Sequence, residues 1–123
     1  MILLAVGATA SAKLVQTKVY MFGMAASFND STAYFTDVQE VDAWISDKGK
    51  FLYSRENYSY QLRDYLQSQG FANATCITCF ALSRKKAEKK YATLLKKSAA
   101  RGDANVRYLK ESEFKYDAIV PEK

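Results

Sequence analysis

Ala74-Thr75-Cys76-Ile77-Thr78-Cys79-Phe80-Ala81-Leu82, followed by Ser83 and then Arg84 to Ala100, decides the fold. The first nine residues are uncharged and rich in β-branched and aromatic side chains, which suit a pleated, packed surface. They predict a strand between the polar Asn73 and Ser83. Ser83 is a natural N-cap for a helix over Arg84–Ala100, and Gly102 fits the position just past its end. Ala87, Tyr91, Leu94 and Leu95 recur at i, i+4, i+7 and i+8, one face of an α-helix.

The same signals repeat on either side. Upstream, Arg55 to Gln69 reads as a helix, with Ser54 or Asn57 as cap and Gly70 as stop. Tyr58, Leu62, Tyr65 and Leu66 form its apolar face. Lys18 to Gly23 reads as a strand with large residues on both faces, as in a central strand or one lying under a helix. Ala33 to Val38 reads as a second strand, after the turn cluster Asn29-Asp30-Ser31. Gln39 to Tyr53 reads as irregular chain, pinned by Trp44 and Phe51 and turning at Asp47-Lys48-Gly49-Lys50. Downstream, Asn105 to Leu109 reads as the last strand, Phe114 and Tyr116 could extend it, and Pro121-Glu122-Lys123 reads as a frayed tail. Helices with one apolar stripe must bury it against a sheet. The expected architecture is an α/β (α+β) two-layer sandwich, with about four mixed or antiparallel strands and both helices on one face.

The chain divides into residues 1–12 and a single domain over 13–123. Ile2-Leu3-Leu4-Ala5-Val6 is apolar and is followed by small residues. Ala8-Thr9-Ala10 and Ala10-Ser11-Ala12 both fit the small-x-small pattern of signal-peptide cleavage, which would start the mature chain near Lys13 or Gln16. No Lys or Arg precedes the run, which suggests a start upstream of Met1. The run is too short to span a bilayer, which takes about 20 residues. A cleaved leader implies a periplasmic or secreted protein. Nucleic acid is then not an expected partner; a retained leader and a cytosolic location would restore it.

Histidine is absent, which removes Ser-His-Asp triads, Cys-His dyads and imidazole metal sites. Two cysteines cannot make a four-thiolate zinc site. No catalytic residue, metal or cofactor is expected. Asp37, Glu40 and Asp42 beside Trp44 could suggest a carboxylate pair for glycoside chemistry, but a domain of this size leaves little room for the cleft it needs; an exposed loop is expected there. Arg55, Tyr58, Tyr60, Arg63 and Tyr65 interleave cations with aromatics, a weak hint of base stacking.

Charge is concentrated in one place. Arg84, Lys85, Lys86, Lys89, Lys90, Lys96, Lys97 and Arg101 accompany a single acid, Glu88, giving +7 in that segment against +5 for the chain. The remainder is therefore −2. The plain reading is a solvated helix face. The sharper one is an anion site formed by Arg84, Lys85, Lys86, Lys89 and Lys90 with the helix N-terminus. Its partners would be anionic lipid, acidic glycan or acidic protein of the cell envelope. The leading expectation is thus a non-catalytic exported binding protein. The alternative is a thiol-dependent redox or metal protein using Cys76 and Cys79. A reactive Cys-x-x-Cys pair needs a helix N-terminus to lower its pKa, and this pair lies in a predicted strand.

The predicted leader, Val19-Tyr20-Met21-Phe22-Gly23, Phe28-Asn29-Asp30-Ser31, Tyr58-Ser59-Tyr60-Gln61-Leu62-Arg63 and Thr75-Cys76 together resemble a set of small exported Bacteroides-type proteins of unknown function. That resemblance implies export and assigns no activity or site residue. The strand–helix alternation is also similar, in topology only, to SPOR-like peptidoglycan-binding domains.

Overall fold

The structure, a computed structural model, describes residues 13–27, 31–48, 51–102 and 105–121. The expected leader, Phe28-Asn29-Asp30, Gly49-Lys50 and Glu122-Lys123 lie outside the described residues. The elements run β1 (Leu14–Ala26), β2 (Thr32–Thr36), β3 (Gln39–Ser46), α1 (Arg55–Ser68), β4 (Thr75–Ala81), α2 (Arg84–Arg101) and β5 (Asn105–Leu109). This is an α+β fold: one mixed five-stranded sheet and two helices.

β1 organises the sheet. It is twice as long as its central apolar stretch suggests, because Leu14–Met21 pairs antiparallel with β3 while Met24–Ala26 pairs with β2. Met21 faces Gln39 and Met24 faces Phe35. Two β1 residues therefore oppose three on the neighbouring segment, Thr36, Asp37 and Val38. β2 and β3 are thus one strand run broken by a bulge, which bends the strand locally. On its other edge, β1 pairs antiparallel with β4 from Tyr20 to Ala26, and β5 adds parallel to β2.

β3 replaces the irregular chain expected over Gln39–Tyr53. Gln39, Val41, Ala43 and Ile45 are buried and Glu40 and Asp42 exposed, the period of two that a half-buried strand shows. Leu52, which bridges Ile45, is the buried anchor beyond it, whereas Phe51 is 70% exposed. Asp37, Glu40 and Asp42 accordingly sit on a bulge and a strand, not on a loop.

The two helices lie on opposite faces of the sheet, a three-layer arrangement where a two-layer one with a shared face was expected. The reason is in β1, which is buried on both sides from Met21 to Ala25. Val19, Met21 and Ala25 pack with Tyr58, Leu62 and Leu66 of α1. Phe22, Met24 and Phe35 point the other way, where Tyr91 of α2 meets the rings of Phe22 and Phe35 edge-on at 5.1 and 5.6 Å. One helix cannot cover both surfaces, so each takes one.

Local chemistry sets the helix ends. Ser83 caps α2, its Oγ accepting the Lys86 amide at 3.2 Å, and Gly102 takes φ 95° at the end. Gly70, at φ 93°, follows α1. Ser54 precedes α1 in the left-handed region, φ 57°, and its hydroxyl accepts from Asn57 Nδ2 at 2.6 Å instead of capping an amide.

Phe114 and Tyr116 do not extend β5. They belong to an irregular strap that crosses the α1 face and completes its core. Buried Gln39 donates to the Phe114 carbonyl and accepts the Tyr116 amide, both at 2.8 Å. Gln61 does the same for Asp117, at 2.9 and 3.0 Å. Tyr58 Oη accepts the Ile119 amide at 2.9 Å. Two glutamine side chains thus supply the backbone partners that a neighbouring strand would otherwise provide.

Candidate functional site

α2 presents its apolar stripe to the sheet, with Ala87 and Ser98 fully buried and Tyr91, Leu94 and Leu95 half-buried. At 100° per residue, Lys85, Lys89 and Lys96 fall on one strip directly opposite that stripe. Lys86, Lys90, Lys97 and Arg101 fall on the flank toward β4. All seven are exposed. Glu88 lies on the other flank, beside Arg84.

The five residues expected to form an anion site do not converge on one point. Arg84 turns away from the helix axis: its guanidinium lies 3.6 Å from Glu40 and 5.2 Å above the Tyr20 ring. Glu40 is also bound by Lys18 at 3.2 Å, and Lys18 first, Arg84 second, hold its carboxyl below the usual range. Lys90 Nζ donates to the Phe80 carbonyl at 2.9 Å. Lys85, Lys86 and Lys89 point outward. The Lys86 amide is taken by Ser83, which removes one of the amides at the helix N-terminus from contact with an ion. The arrangement is a convex basic surface, suited to many weak contacts with an extended anionic surface.

Lys90 also helps close the sheet. β4 is an edge strand whose Thr78 and Phe80 carbonyls face outward. Arg55 Nε donates to the first at 2.9 Å from the α1 side, and Lys90 takes the second from the α2 side. Charged side chains on an edge discourage strand addition. Arg63 stacks 4.4 Å over Tyr60, while Tyr58 and Tyr65 belong to the core and its margin. The interleaved cations and aromatics of α1 therefore serve packing and edge protection.

Two depressions flank α2. A polar one of about 470 Å³ sits at the bulge, lined by Asp37, Val38, Arg84, Glu88, Tyr91 and Glu111. Three of its charged groups already have partners: Arg84 pairs with Glu40, Asp37 Oδ2 accepts the Glu111 amide at 3.0 Å, and Glu111 pairs with Lys115 at 2.8 Å. Burial, with smaller contributions from Tyr108 and Asp37, pushes the Tyr91 hydroxyl up to about 12. The second depression, an open groove of about 330 Å³ between β4 and α2, is lined by Cys79, Lys89, Lys90, Thr93 and Leu94. Sequence reading named its two lysines but not the groove, because the facing of Cys79 and Leu94 depends on which side of the sheet α2 occupies.

Cys76 and Cys79 are both free. Cys76 faces the α1 side, in register with Ala25, and Cys79 the α2 side, in register with Phe22. Positions three apart in a strand are about 10 Å apart, beyond disulfide reach. Burial pushes the Cys76 thiol up to about 11, and it raises the Cys79 thiol against the opposing pull of Arg55 and Lys90. Among the described residues, no group of three or more acidic or thiol side chains is placed to hold a metal ion. No helix among them is long and apolar enough to cross a membrane.

Comparison with protein-family models, curated proteins and solved structures finds no match to this chain, so no residue here inherits a role from a relative.

Proposed function

We propose that this is a non-catalytic, exported binding protein that docks on an anionic surface of the cell envelope through the outer face of α2. One observation carries the reading. Seven exposed cations cover the side of α2 turned away from the sheet and toward β4, and the helix's one acid lies on the opposite flank. Three of them, Lys85, Lys86 and Lys89, have side chains turned to solvent, and each lysine near an anionic lipid surface contributes about 1 kcal/mol of attraction. A helix that served only solubility would do as well with charges of both signs.

The test is sedimentation with vesicles. The full chain should bind phosphatidylglycerol vesicles at an ionic strength of about 0.01 M, where the Debye length is ~30 Å, and leave phosphatidylcholine vesicles alone. Binding should fall steeply by about 0.15 M. Lys85→Glu/Lys89→Glu/Lys96→Glu should abolish it while the protein stays folded. Failure to bind anionic vesicles at low salt, or equal binding by the triple variant, overturns the reading.

A further inference from the structure

The groove between β4 and α2 adds an apolar slot to the basic face. We propose that it binds a free single-chain anionic amphiphile, the alkyl chain lying against Cys79 and Leu94 and the head group meeting Lys89 and Lys90. The proposal deepens the anion-binding reading of α2 and rests on it.

The groove's walls are apolar and its lip is cationic. Cys79 and Leu94 form the floor, and Thr93 spends its hydroxyl on the Lys89 carbonyl at 3.0 Å. No acid lines it. Lys90 is already fixed at the lip by its bond to the Phe80 carbonyl, with ammonium donors to spare, so its charge is positioned before a ligand arrives. Ile77 shares the Cys79 face of β4 and is 43% exposed, extending the apolar floor along the strand. A volume of about 330 Å³ stands at the low end of small-molecule sites, enough for one chain. Charge selects an anion, and the apolar floor selects a chain over a bare phosphate or a sugar acid. The occupant that satisfies both is a carboxylate or phosphate with one alkyl tail.

Cys79 lines the groove and Cys76 leaves the opposite face of the same strand, so the protein carries its own probe and control. The experiment alkylates the intact chain with iodoacetamide and reads each cysteine by mass spectrometry. Dodecanoate, kept below its micelle concentration, should slow Cys79 at least fivefold and leave Cys76 unchanged. Acetate and dodecyltrimethylammonium, which carry only the head charge or the opposite one, should protect neither. Lys90→Met, which keeps most of the stem, should raise the dodecanoate concentration needed about tenfold. Equal protection by the cationic detergent, protection of both cysteines, or none at all overturns the proposal. So does Cys79 protection that grows with protein concentration alone, which would make a second copy the occupant. Lys85→Glu/Lys96→Glu, remote from the groove, should weaken vesicle binding and leave dodecanoate protection intact. Failure of the unaltered chain to bind anionic vesicles, with Cys79 still protected by dodecanoate, condemns the surface reading alone, and failure of dodecanoate to protect Cys79, with vesicle binding intact, condemns the groove alone.

Discussion

Gly23 and the hydroxyl of Tyr116 occupy adjoining space. A Cβ on Gly23 would collide with that hydroxyl and come within 2.8 Å of Leu62 Cδ2. Glycine is required here by the close approach of the strap, at the point where the bulge leaves the Gly23 amide to Thr36 Oγ1 at 2.9 Å. The Tyr116 hydroxyl is buried without a well-formed hydrogen bond: Thr78 interacts with it, but the Thr78 hydroxyl is already engaged with that of Ser59 at 2.8 Å. Gly23→Ala should therefore destabilise by about 1–3 kcal/mol, the usual cost of overpacking. Tyr116→Phe removes a desolvated hydroxyl that no well-formed hydrogen bond compensates and should be neutral or slightly stabilising. Combining the two should recover part of the Gly23→Ala loss. Urea denaturation of the four proteins checks this, and strict additivity would mean that the two residues do not compete for the space.

The two glutamines of the strap should differ in what they contribute. Gln39 is fully buried, so Gln39→Leu strands the Phe114 carbonyl and the Tyr116 amide without water. At about 1–3 kcal/mol per stranded group, partly relieved by local movement, the loss should be about 2–4 kcal/mol. Gln61 makes the same pair of bonds at an exposed place, where water can replace it, and Gln61→Leu should cost under about 1 kcal/mol. Denaturation gives the energies. Amide hydrogen exchange should show Tyr116 losing protection in the first variant and Asp117 in the second.

What the residues revealed in advance follows from how local each signal is. α1, α2, β4 and β5 were legible because caps, stop glycines and periodic apolar residues lie within one element. The bounds of β5 and the ends of both helices follow from them to within a residue. β3 escaped because its inward residues include Gln39 and Ala43 and its first two outward ones, Glu40 and Asp42, are acids, so propensity argued against a strand even though the alternation was present. The placement of α2 needed the register of β1, whose burial on both faces could be read but whose consequence, one helix per face, is a tertiary fact. The cations of α2 were plain in the sequence. That Arg84 is drawn off to Glu40 and Tyr20 depends on residues more than forty positions away, and that Lys90 is drawn to the Phe80 carbonyl on a residue ten positions away.

The thiols should be sluggish and should shift stability only in alkali. Burial raises Cys76 to about 11 from an ordinary 9.0. At pH 8 both thiols stay protonated, so alkylation of the native protein should be much slower than that of a small thiol and should speed up as pH approaches 11. The unfolded chain loses its Cys76 proton near pH 9 and the folded chain only near 11. The stabilisation from keeping this thiol neutral is thus complete below pH 9 and lost as pH rises through that window. Cys76→Ser should flatten the fall in melting temperature between pH 9 and 11. An unchanged slope would mean that Cys76 titrates normally.

Chains starting at Lys13 and at Gln16, the two starts expected for a cleaved leader, make different demands on the sheet. Cleavage after Ala12 leaves Lys13 in place, and its carbonyl accepts the Asp47 amide at 2.8 Å. Leu14 and Val15 then pair with Ser46 and Ile45, closing β1 against the end of β3. A chain beginning at Gln16 gives up that bond and both pairings, and it uncovers Ile45 and Leu52, which are buried in the α1-side core. A chain that starts at Lys13 keeps the whole of this pairing, and one that starts at Gln16 does not. Recombinant chains starting at Lys13 and at Gln16 should both fold. The shorter should melt lower by the equivalent of about 1–3 kcal/mol, the scale of losing half-buried apolar side chains from a sheet end. Equal melting temperatures would show that the first three residues add nothing to the fold, and the choice between the sites would then fall to N-terminal sequencing of protein from its host.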